Sequence, residues 1–216
     1  MPPTPDPKGL SAIVLAGGRS SRMGRSKAML PFGGRTIVEG IISELAGAFA
    51  EVVLVTSKEA TPDPSRAERA GARIVTDREP FQGPVGAIAD GLRAITCEAA
   101  FVCSCDLPLI RSEVAVAILA ELGNRDYAAP EIAGRIQPLY AAYRRRCLGE
   151  FAAATDRGER RLLNVIAALN GRLVAESRLR LFDRTLQSFT NVNTPHQYRA
   201  ALAMLSEPSL RNRQPA

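Results

Sequence analysis

Two hydrophobic periods alternate along the first half of the chain. Short apolar runs bounded by turn-forming residues are typical of buried strands, and the apolar residues between them recur at helical spacing. This pattern predicts strands over residues 11–16, 51–56, 72–76 and 99–105. It predicts helices over residues 36–49, 85–95 and 112–122, the last with Ser112 as N-cap residue, and a loop with a short helix over 57–70.

The second half of the chain is less regular. The pattern there predicts strands over residues 127–130, 136–143 and 189–192, and helices over residues 148–154, 161–169 and 197–205. Residues 9–206 are predicted to form one domain, with disordered tails over residues 1–8 and 207–216.

The alternation of strands and helices predicts an α/β fold. We expect a single-domain, Rossmann-like three-layer sandwich with a mostly parallel central sheet and right-handed crossovers. Ligands of such sheets bind beyond the carboxyl ends of the strands. A glycine-rich segment, Asp77 and Asp106 each follow a predicted strand, so we expect them to share one face of the sheet.

Composition narrows the class of ligand. The 216 residues carry 28 basic and 22 acidic side chains, a net charge of +6, which suits anionic ligands. The basic residues are spread along the chain and there is no Trp, so nucleic-acid binding is not favoured. No apolar run approaches the roughly 20 residues of a membrane span, and no secretory signal is visible. We therefore expect a cytoplasmic protein without a membrane partner.

The cysteines do not point to metal or thiol chemistry. Cys97, Cys103, Cys105 and Cys147 form no C-x-x-C pair, and the chain has one histidine, His196. A structural zinc site would lack partners, so we expect reduced, buried thiols. Nothing in the sequence marks Cys103 or Cys105 as an activated thiolate.

Residues 15–28, LAGGRSSRMGRSKA, form the most informative segment. Glycines permit close backbone approach, successive amides form an anion site, and cations bind phosphate oxygens. The segment therefore predicts a triphosphate cradle, although a glycine-rich surface loop with solvated charges is the alternative. Its spacing fits neither a Walker A loop nor the dinucleotide fingerprint. The glycines and cations are Gly17, Gly18, Gly24, Arg19, Arg22, Arg25 and Lys27.

Asp106 is the candidate metal ligand. It lies in the segment CSCDLP, at the end of a predicted buried strand that a proline stops. Nucleoside triphosphates arrive with Mg²⁺, which takes carboxylate and phosphate oxygens and keeps several waters. One carboxylate is therefore sufficient, and a loop-capping aspartate is the alternative.

The glycine-rich segment matches the pattern G-G/A-x-x-x-R-M-G-x-x-K and resembles that of nucleotidyltransferases, most of all the molybdenum cofactor guanylyltransferase (MobA-type) family. The resemblance implies transfer of GMP from GTP to molybdopterin, which forms the guanine dinucleotide cofactor and releases pyrophosphate. It implies Mg²⁺ as cofactor, and molybdoenzyme apoproteins or delivery chaperones as further partners. The adjacent Gly17 and Gly18, with the turn Gly83-Pro84, follow the guanylyl form, so we expect GTP to be preferred over CTP.

The same resemblance implies the site residues. Arg22, Lys27 and Asp106 are the expected catalytic residues, with Asp106 also on the metal. Gly83 and Pro84 could equally form a plain helix-entry turn, and Asp77 a turn residue. The expected nucleotide-binding residues are Leu15, Ala16, Gly17, Gly18, Lys27, Asp77, Gly83, Pro84 and Asp106.

Two later segments resemble the family's molybdopterin-binding motifs. Arg161 ends DRGERR, and Asn191 and Asn193 belong to NVNTP, where a strand would turn both amides to one side. Because these segments lie far from the glycine-rich segment in sequence, we expect substitutions in them to leave GTP binding nearly intact. A solvated basic helix start and an Asx turn are the alternatives.

Other functions remain open from the sequence. Cytidylyl transfer to the same cofactor, or nucleotidyl transfer to a sugar or polyol phosphate, would use a similar site. A catalytically idle nucleotide-binding protein that delivers cofactor to an apoenzyme is an alternative from another class.

Overall fold

The computed structural model describes residues 9–17, 27–57, 64–77 and 83–206. The strands are β1 (Ser11–Leu15), β2 (Pro31–Phe32), β3 (Arg35–Thr36), β4 (Glu51–Thr56), β5 (Ala72–Thr76), β6 (Ala99–Ser104), β7 (Tyr127–Ile132), β8 (Arg135–Ile136), β9 (Tyr140–Arg144) and β10 (Gly171–Ala175). The α-helices are α1 (Ile37–Ala46), α2 (Pro64–Ala70), α3 (Gly83–Ala94), α4 (Ser112–Ala120), α5 (Leu148–Asp156), α6 (Leu162–Ala167), α7 (Glu176–Leu179) and α8 (Pro195–Ser206).

One large sheet organises the chain. Its eight strands run in the order β10-β7-β9-β6-β1-β4-β5, and β8 pairs with β7. β1 lies between β4 and β6, and all three run parallel, with Leu15 opposite Val55 and Ser104. β9 runs antiparallel between β6 and β7. The predicted α/β class with a mostly parallel sheet is confirmed.

Helices cover both faces of this sheet. Val14, Leu54 and Phe101 pack on one face with α1, α4 and α8. Their strand neighbours Ile13 and Val53 pack on the other face with α3, α5 and α6. Burial on both faces explains why the central strands read as continuous apolar runs rather than as alternating patterns.

Close packing brings α3 against the centre of the sheet. A β-carbon on Gly91 would lie 2.6 Å from Cγ2 of Ile13 in β1, so only glycine fits there. Any side chain would push α3, whose first residue is Gly83, away from the strands that hold the candidate site.

The structure corrects several predicted elements. β2, β3, β10 and α7 were not predicted, and the predicted strand 136–143 is divided into β8 and β9. Residues 189–192 form no strand, because Gln187–Phe189 is a 3₁₀ helix and an irregular stretch follows it. Ser112 is not the N-cap residue of α4, which is Arg111. Instead its amide and hydroxyl donate to Glu44 of α1 at 2.9 and 2.8 Å.

The predicted disordered tails, 1–8 and 207–216, lie outside the described residues. Within the described ranges, none of the helices has the length and apolar character needed to span a bilayer.

Candidate active site

Four neighbouring parallel strands end at one edge of the sheet. Hydrogen bonds between backbones join the residues that follow them. The Ala16 amide donates to Val55 at 2.8 Å, the Asp77 amide to Thr56 at 2.9 Å, and the Cys105 amide to Leu15 at 3.0 Å. The structure therefore places the residues after β1, β5 and β6 on one rigid edge.

Asp106 lies at this edge with its backbone fixed. Its carbonyl oxygen accepts a hydrogen bond from the Val192 amide at 2.7 Å. The side chain is half-buried, and no side chain in the described part of the chain donates a hydrogen bond to the carboxylate. Among the described residues no group of three acidic, histidine or cysteine side chains could hold a metal ion alone. One rigid carboxylate that also uses ligand phosphates fits Mg²⁺.

Lys27 contacts the second predicted binding segment. Its Nζ donates a hydrogen bond to Oδ1 of Asn193 at 2.6 Å. Lys27 also lies near Cys105. Desolvation and the charge of Asp106 raise the pKa of the Cys105 thiol to about 12, and the positive charge of Lys27 lowers it in part. Lys27, Asn193 and Asp106 therefore gather at one place, although 166 positions separate the first two in sequence.

The NVNTP segment begins a helix rather than forming a strand. The Thr194 hydroxyl accepts a hydrogen bond from the Gln197 amide at 3.2 Å, and Pro195 opens α8. The Gln197 side chain accepts from the Asn193 amide at 2.9 Å. A capping threonine, a proline at the first helical position and a glutamine three positions after the threonine are together a sequence signal for a helix start. The sequence therefore contained the signal for the start of α8.

The two asparagines of this segment do not act as a matched pair. The Asn191 side chain is exposed, whereas the Asn193 side chain is half-buried and contacts Lys27. The expectation that a strand turns both to one side is wrong because no strand forms here. Among the described residues, Oδ1 of Asn193 accepts a hydrogen bond from Lys27 and none from a backbone amide.

Gly17, after β1, lies close to Asp77, after β5, at the same edge of the sheet. A β-carbon on Gly17 would lie 3.3 Å from Oδ2 of Asp77. Oδ1 of Asp77 is buried without a hydrogen-bond partner among the described residues. Desolvation, with the charge of nearby Asp90, raises the pKa of Asp77.

Asp90 was missed in the sequence. It lies buried on α3 and forms an ion pair with Arg93 at 2.7 Å. The sequence signal for Asp90 was a single carboxylate within the otherwise apolar stretch that forms α3. Gly83 begins the same helix with a φ of 71°, a backbone conformation that favours glycine, and Pro84 follows it inside the first turn.

Arg161 occupies the N-cap position of α6 with an exposed side chain. The Glu159 carboxylate accepts from the amides of Arg160 and Arg161 at 2.8 and 2.7 Å. The side-chain hydrogen bond from Asn164 and these amides lower the pKa of Glu159. The backbone of DRGERR is thus an ordered helix start. Among the described residues, no hydrogen bond joins Arg161 to Lys27, Asp106 or Asn193.

Two predicted site residues lie outside the described residues, Gly18 and Arg22. The cysteines are free thiols. Burial raises the pKa of Cys103 as well as that of Cys105, which keeps both protonated at neutral pH.

Open α/β sheets bind ligands beyond the carboxyl ends of their strands, and at this edge the chain places a lysine, a carboxylate and a glycine turn. Residues 12–178 match the model of the MobA-like NTP transferase domain, and the chain belongs to that family. It is a nucleotidyltransferase.

Relatives cover most of the chain. A probable molybdenum cofactor guanylyltransferase of Methanothermobacter thermautotrophicus is 35% identical over 196 residues, which are 88% of this chain and 97% of that protein. A molybdenum cofactor guanylyltransferase of Desulfosudis oleivorans is 30% identical over 198 residues, covering 91% and 96%.

Solved structures show the same fold. The molybdopterin-guanine dinucleotide biosynthesis protein A of Archaeoglobus fulgidus superposes with a TM-score of 0.77 at 27% identity, covering 91% of this chain and 98% of that one. A 2-C-methyl-D-erythritol 4-phosphate cytidylyltransferase of Thermus thermophilus has a TM-score of 0.66 at 17% identity, covering 90% and 98%, and shares the fold alone.

Proposed function

We propose that this enzyme transfers GMP from GTP to molybdopterin, forming the guanine dinucleotide cofactor and releasing pyrophosphate. The relatives named as guanylyltransferases support the choice of both substrates. The observation that carries the proposal is the hydrogen bond between Lys27 and Asn193. It joins a residue expected to bind triphosphate to a residue expected to bind molybdopterin, so the two substrates would meet at this point.

The chemistry requires little from the protein beyond positioning and charge. The terminal phosphate oxygen of molybdopterin attacks the α-phosphorus of GTP, and the bond from that phosphorus to the bridging oxygen of pyrophosphate breaks. The attacking phosphate is ionised at neutral pH, so no general base is needed. Lys27 and Arg22 stabilise the triphosphate and then the departing pyrophosphate.

Asp106 is the residue that would hold Mg²⁺. Its backbone is held by the Val192 amide, and its carboxylate accepts no hydrogen bond from a side chain in the described ranges, which suits a cation ligand. When bound, Mg²⁺ neutralises charge on the phosphate oxygens.

The remaining residues divide between the two substrates. The backbone of Leu15, Ala16 and Gly17, with Asp77 and the Gly83-Pro84 turn, surrounds the nucleotide. A glycine at position 17 lets the chain approach a purine closely, and a site that pairs with one base edge rejects another base. Arg161, Asn191 and Asn193 bind molybdopterin through its pterin ring and phosphate.

Pyrophosphate release tests this function. The enzyme is mixed with GTP, Mg²⁺ and molybdopterin, and each component is omitted in turn. We expect pyrophosphate in a one-to-one ratio with the guanylylated product, and none when any component is missing. Nucleotide binding without pyrophosphate release in the complete mixture would instead indicate a protein that only binds and delivers cofactor.

A further inference from the structure

The bond between Lys27 and Asn193 connects residues that the proposed function gives to different substrates. Hydrogen bonds hold the backbone on both partners. The amides of Val192 and Asn193 donate to Asp106 at 2.7 Å and to Gln197 at 2.9 Å. Lys27 lies in a 3₁₀ helix whose turn is closed by the Leu30 amide at 3.1 Å.

Tyr198 ties α8 to the same region. Its hydroxyl donates to the carbonyl oxygen of Pro31 in β2, and its ring lies 6.5 Å from that of Phe32. The first turn of α8 and the hairpin after Lys27 therefore form one unit. A ligand that moves the Lys27 side chain changes what Asn193 can bind without any movement of the backbone.

Charge decides which partner Lys27 takes. The amide oxygen of Asn193 is a neutral acceptor, whereas a triphosphate oxygen is ionised, and hydrogen bonds to ionised acceptors are about twice as strong as those between neutral groups. The ammonium group carries three N–H donors, so nucleotide binding would draw Nζ toward the ionised phosphates and weaken its hydrogen bond to Asn193. The freed amide oxygen could then accept a hydrogen bond from a donor on the second substrate.

We propose that Asn193 is the partner of Lys27 before the nucleotide binds, and that exchange of this hydrogen bond makes binding ordered, with the nucleotide first. This inference rests on the proposed function for its second substrate, but not for its first step. It revises the expectation that substitutions in NVNTP spare the nucleotide site. That expectation followed from distance in sequence, and the structure brings Asn193 within 2.6 Å of Lys27.

Four variants test the first step. Asn193→Asp converts the neutral acceptor into a charged one that competes with the phosphates for Lys27, and we expect about tenfold weaker binding of Mg-GTP and of inorganic triphosphate by calorimetry. Asn193→Ala removes the acceptor without adding a competitor, and we expect affinities within about threefold of wild type. Asn124→Asp adds the same charge at an exposed asparagine outside the proposed site and serves as the matched control. In the background of Lys27→Ala, Asn193→Asp should weaken binding no more than Asn124→Asp does.

Two results would overturn this role. One is an equal loss in Asn193→Asp and Asn193→Ala, which is the result of a merely structural contact. The other is a loss from Asn193→Asp that persists without Lys27. Inorganic triphosphate carries no base and requires no second substrate, so this arm stays readable even if the enzyme does not use GTP or molybdopterin.

The binding order has its own measurement. A GTP analogue that cannot transfer its α-phosphoryl group should increase the affinity of wild-type enzyme for molybdopterin, and molybdopterin should increase the affinity for the analogue by the same factor. In Lys27→Ala the Asn193 amide is free at all times, so this mutual effect should fall to about onefold. A mutual effect of unchanged size in Lys27→Ala would contradict the exchange.

Discussion

Gly17 faces the carboxylate of Asp77 so closely that a β-carbon at position 17 would lie 3.3 Å from Oδ2. The two residues follow β1 and β5, which lie on either side of β4. The contact therefore spans three strand ends and shapes the part of the site assigned to the nucleotide. It holds a carboxylate whose other oxygen is buried without a partner in the described ranges.

Gly17→Ala should weaken nucleotide selection. The added methyl group would push the Asp77 carboxylate aside by a few tenths of an ångström and hold the base away from the backbone. We expect kcat/KM for GTP to fall by about tenfold and the preference over CTP to shrink without reversing. Gly149→Ala, where no atom lies within 4 Å of the new β-carbon, is the control. An unchanged preference would show that the backbone at position 17 does not select the base.

Asp106→Asn should preserve the fold and abolish turnover that depends on Mg²⁺. Asparagine keeps the shape of the side chain but loses the charge that pairs with the cation. Rates are compared across a Mg²⁺ titration, with thermal melting as the check of folding. Glu98→Gln, at the residue before the first residue of β6, removes an acidic charge at the opposite end of this strand as a control. Activity of Asp106→Asn within about threefold of wild type would exclude the metal role.

Lys27→Ala should reduce kcat/KM by about 10²–10³, the typical effect of removing one preorganised charge contact. Arg22→Ala, at a position outside the described residues, should reduce kcat/KM by a similar factor. Arg35→Ala, an exposed cation on β3, is the control for net charge. Near-normal kinetics in both Lys27→Ala and Arg22→Ala would mean that the triphosphate binds elsewhere.

Glu51 should make stability depend on pH at the edge of the sheet opposite the site. Desolvation alone would raise its pKa, but hydrogen bonds from Ser11 at 2.6 Å and from the amide and hydroxyl of Thr96 at 2.6 and 2.9 Å lower it to about 2. A lowered pKa stabilises the fold above the unfolded value of 4.5, and this contribution is lost as the pH falls toward 2.

Glu51→Gln should therefore cost about 2–3 kcal/mol of unfolding free energy at pH 7. The difference from wild type should shrink between pH 4.5 and pH 2, as denaturant unfolding at several pH values would show. Glu68→Gln, on the exposed side of α2, is the control for removal of an acidic charge. A difference that stays constant with pH would refute the link to ionisation of Glu51.

Local pattern was sufficient for two of the parallel strands. β4 and β5 begin and end where the sequence predicts, because each is an apolar run bounded by turn-forming or polar residues. β10 escaped notice because it is an edge strand with Arg172 and an exposed Leu173, and its place depends on Gly171 fitting beneath the ring of Tyr127. Residues 189–192 were predicted as a strand, yet Phe189 packs on Tyr140 and Val192 is buried without a partner strand among the described residues.

The candidate site likewise has one part that the sequence could predict and one part that it could not. That Asp77 and Asp106 lie at one edge follows from their places after parallel strands, so the sequence could predict it. The contact between Lys27 and Asn193 could not be predicted, because it depends on how α8 returns across the sheet. No local pattern encodes a hydrogen bond between such distant residues.

Competition between GTP and CTP for one pool of enzyme tests the central claim most directly. Both nucleotides are supplied at equal concentration with Mg²⁺ and molybdopterin, and the two dinucleotide products are separated and counted by mass. The proposed function predicts the guanine product in excess of about a hundredfold, since mispairing of a base edge costs several kcal/mol. Equal amounts of the two products, or an excess of the cytosine product, would contradict it.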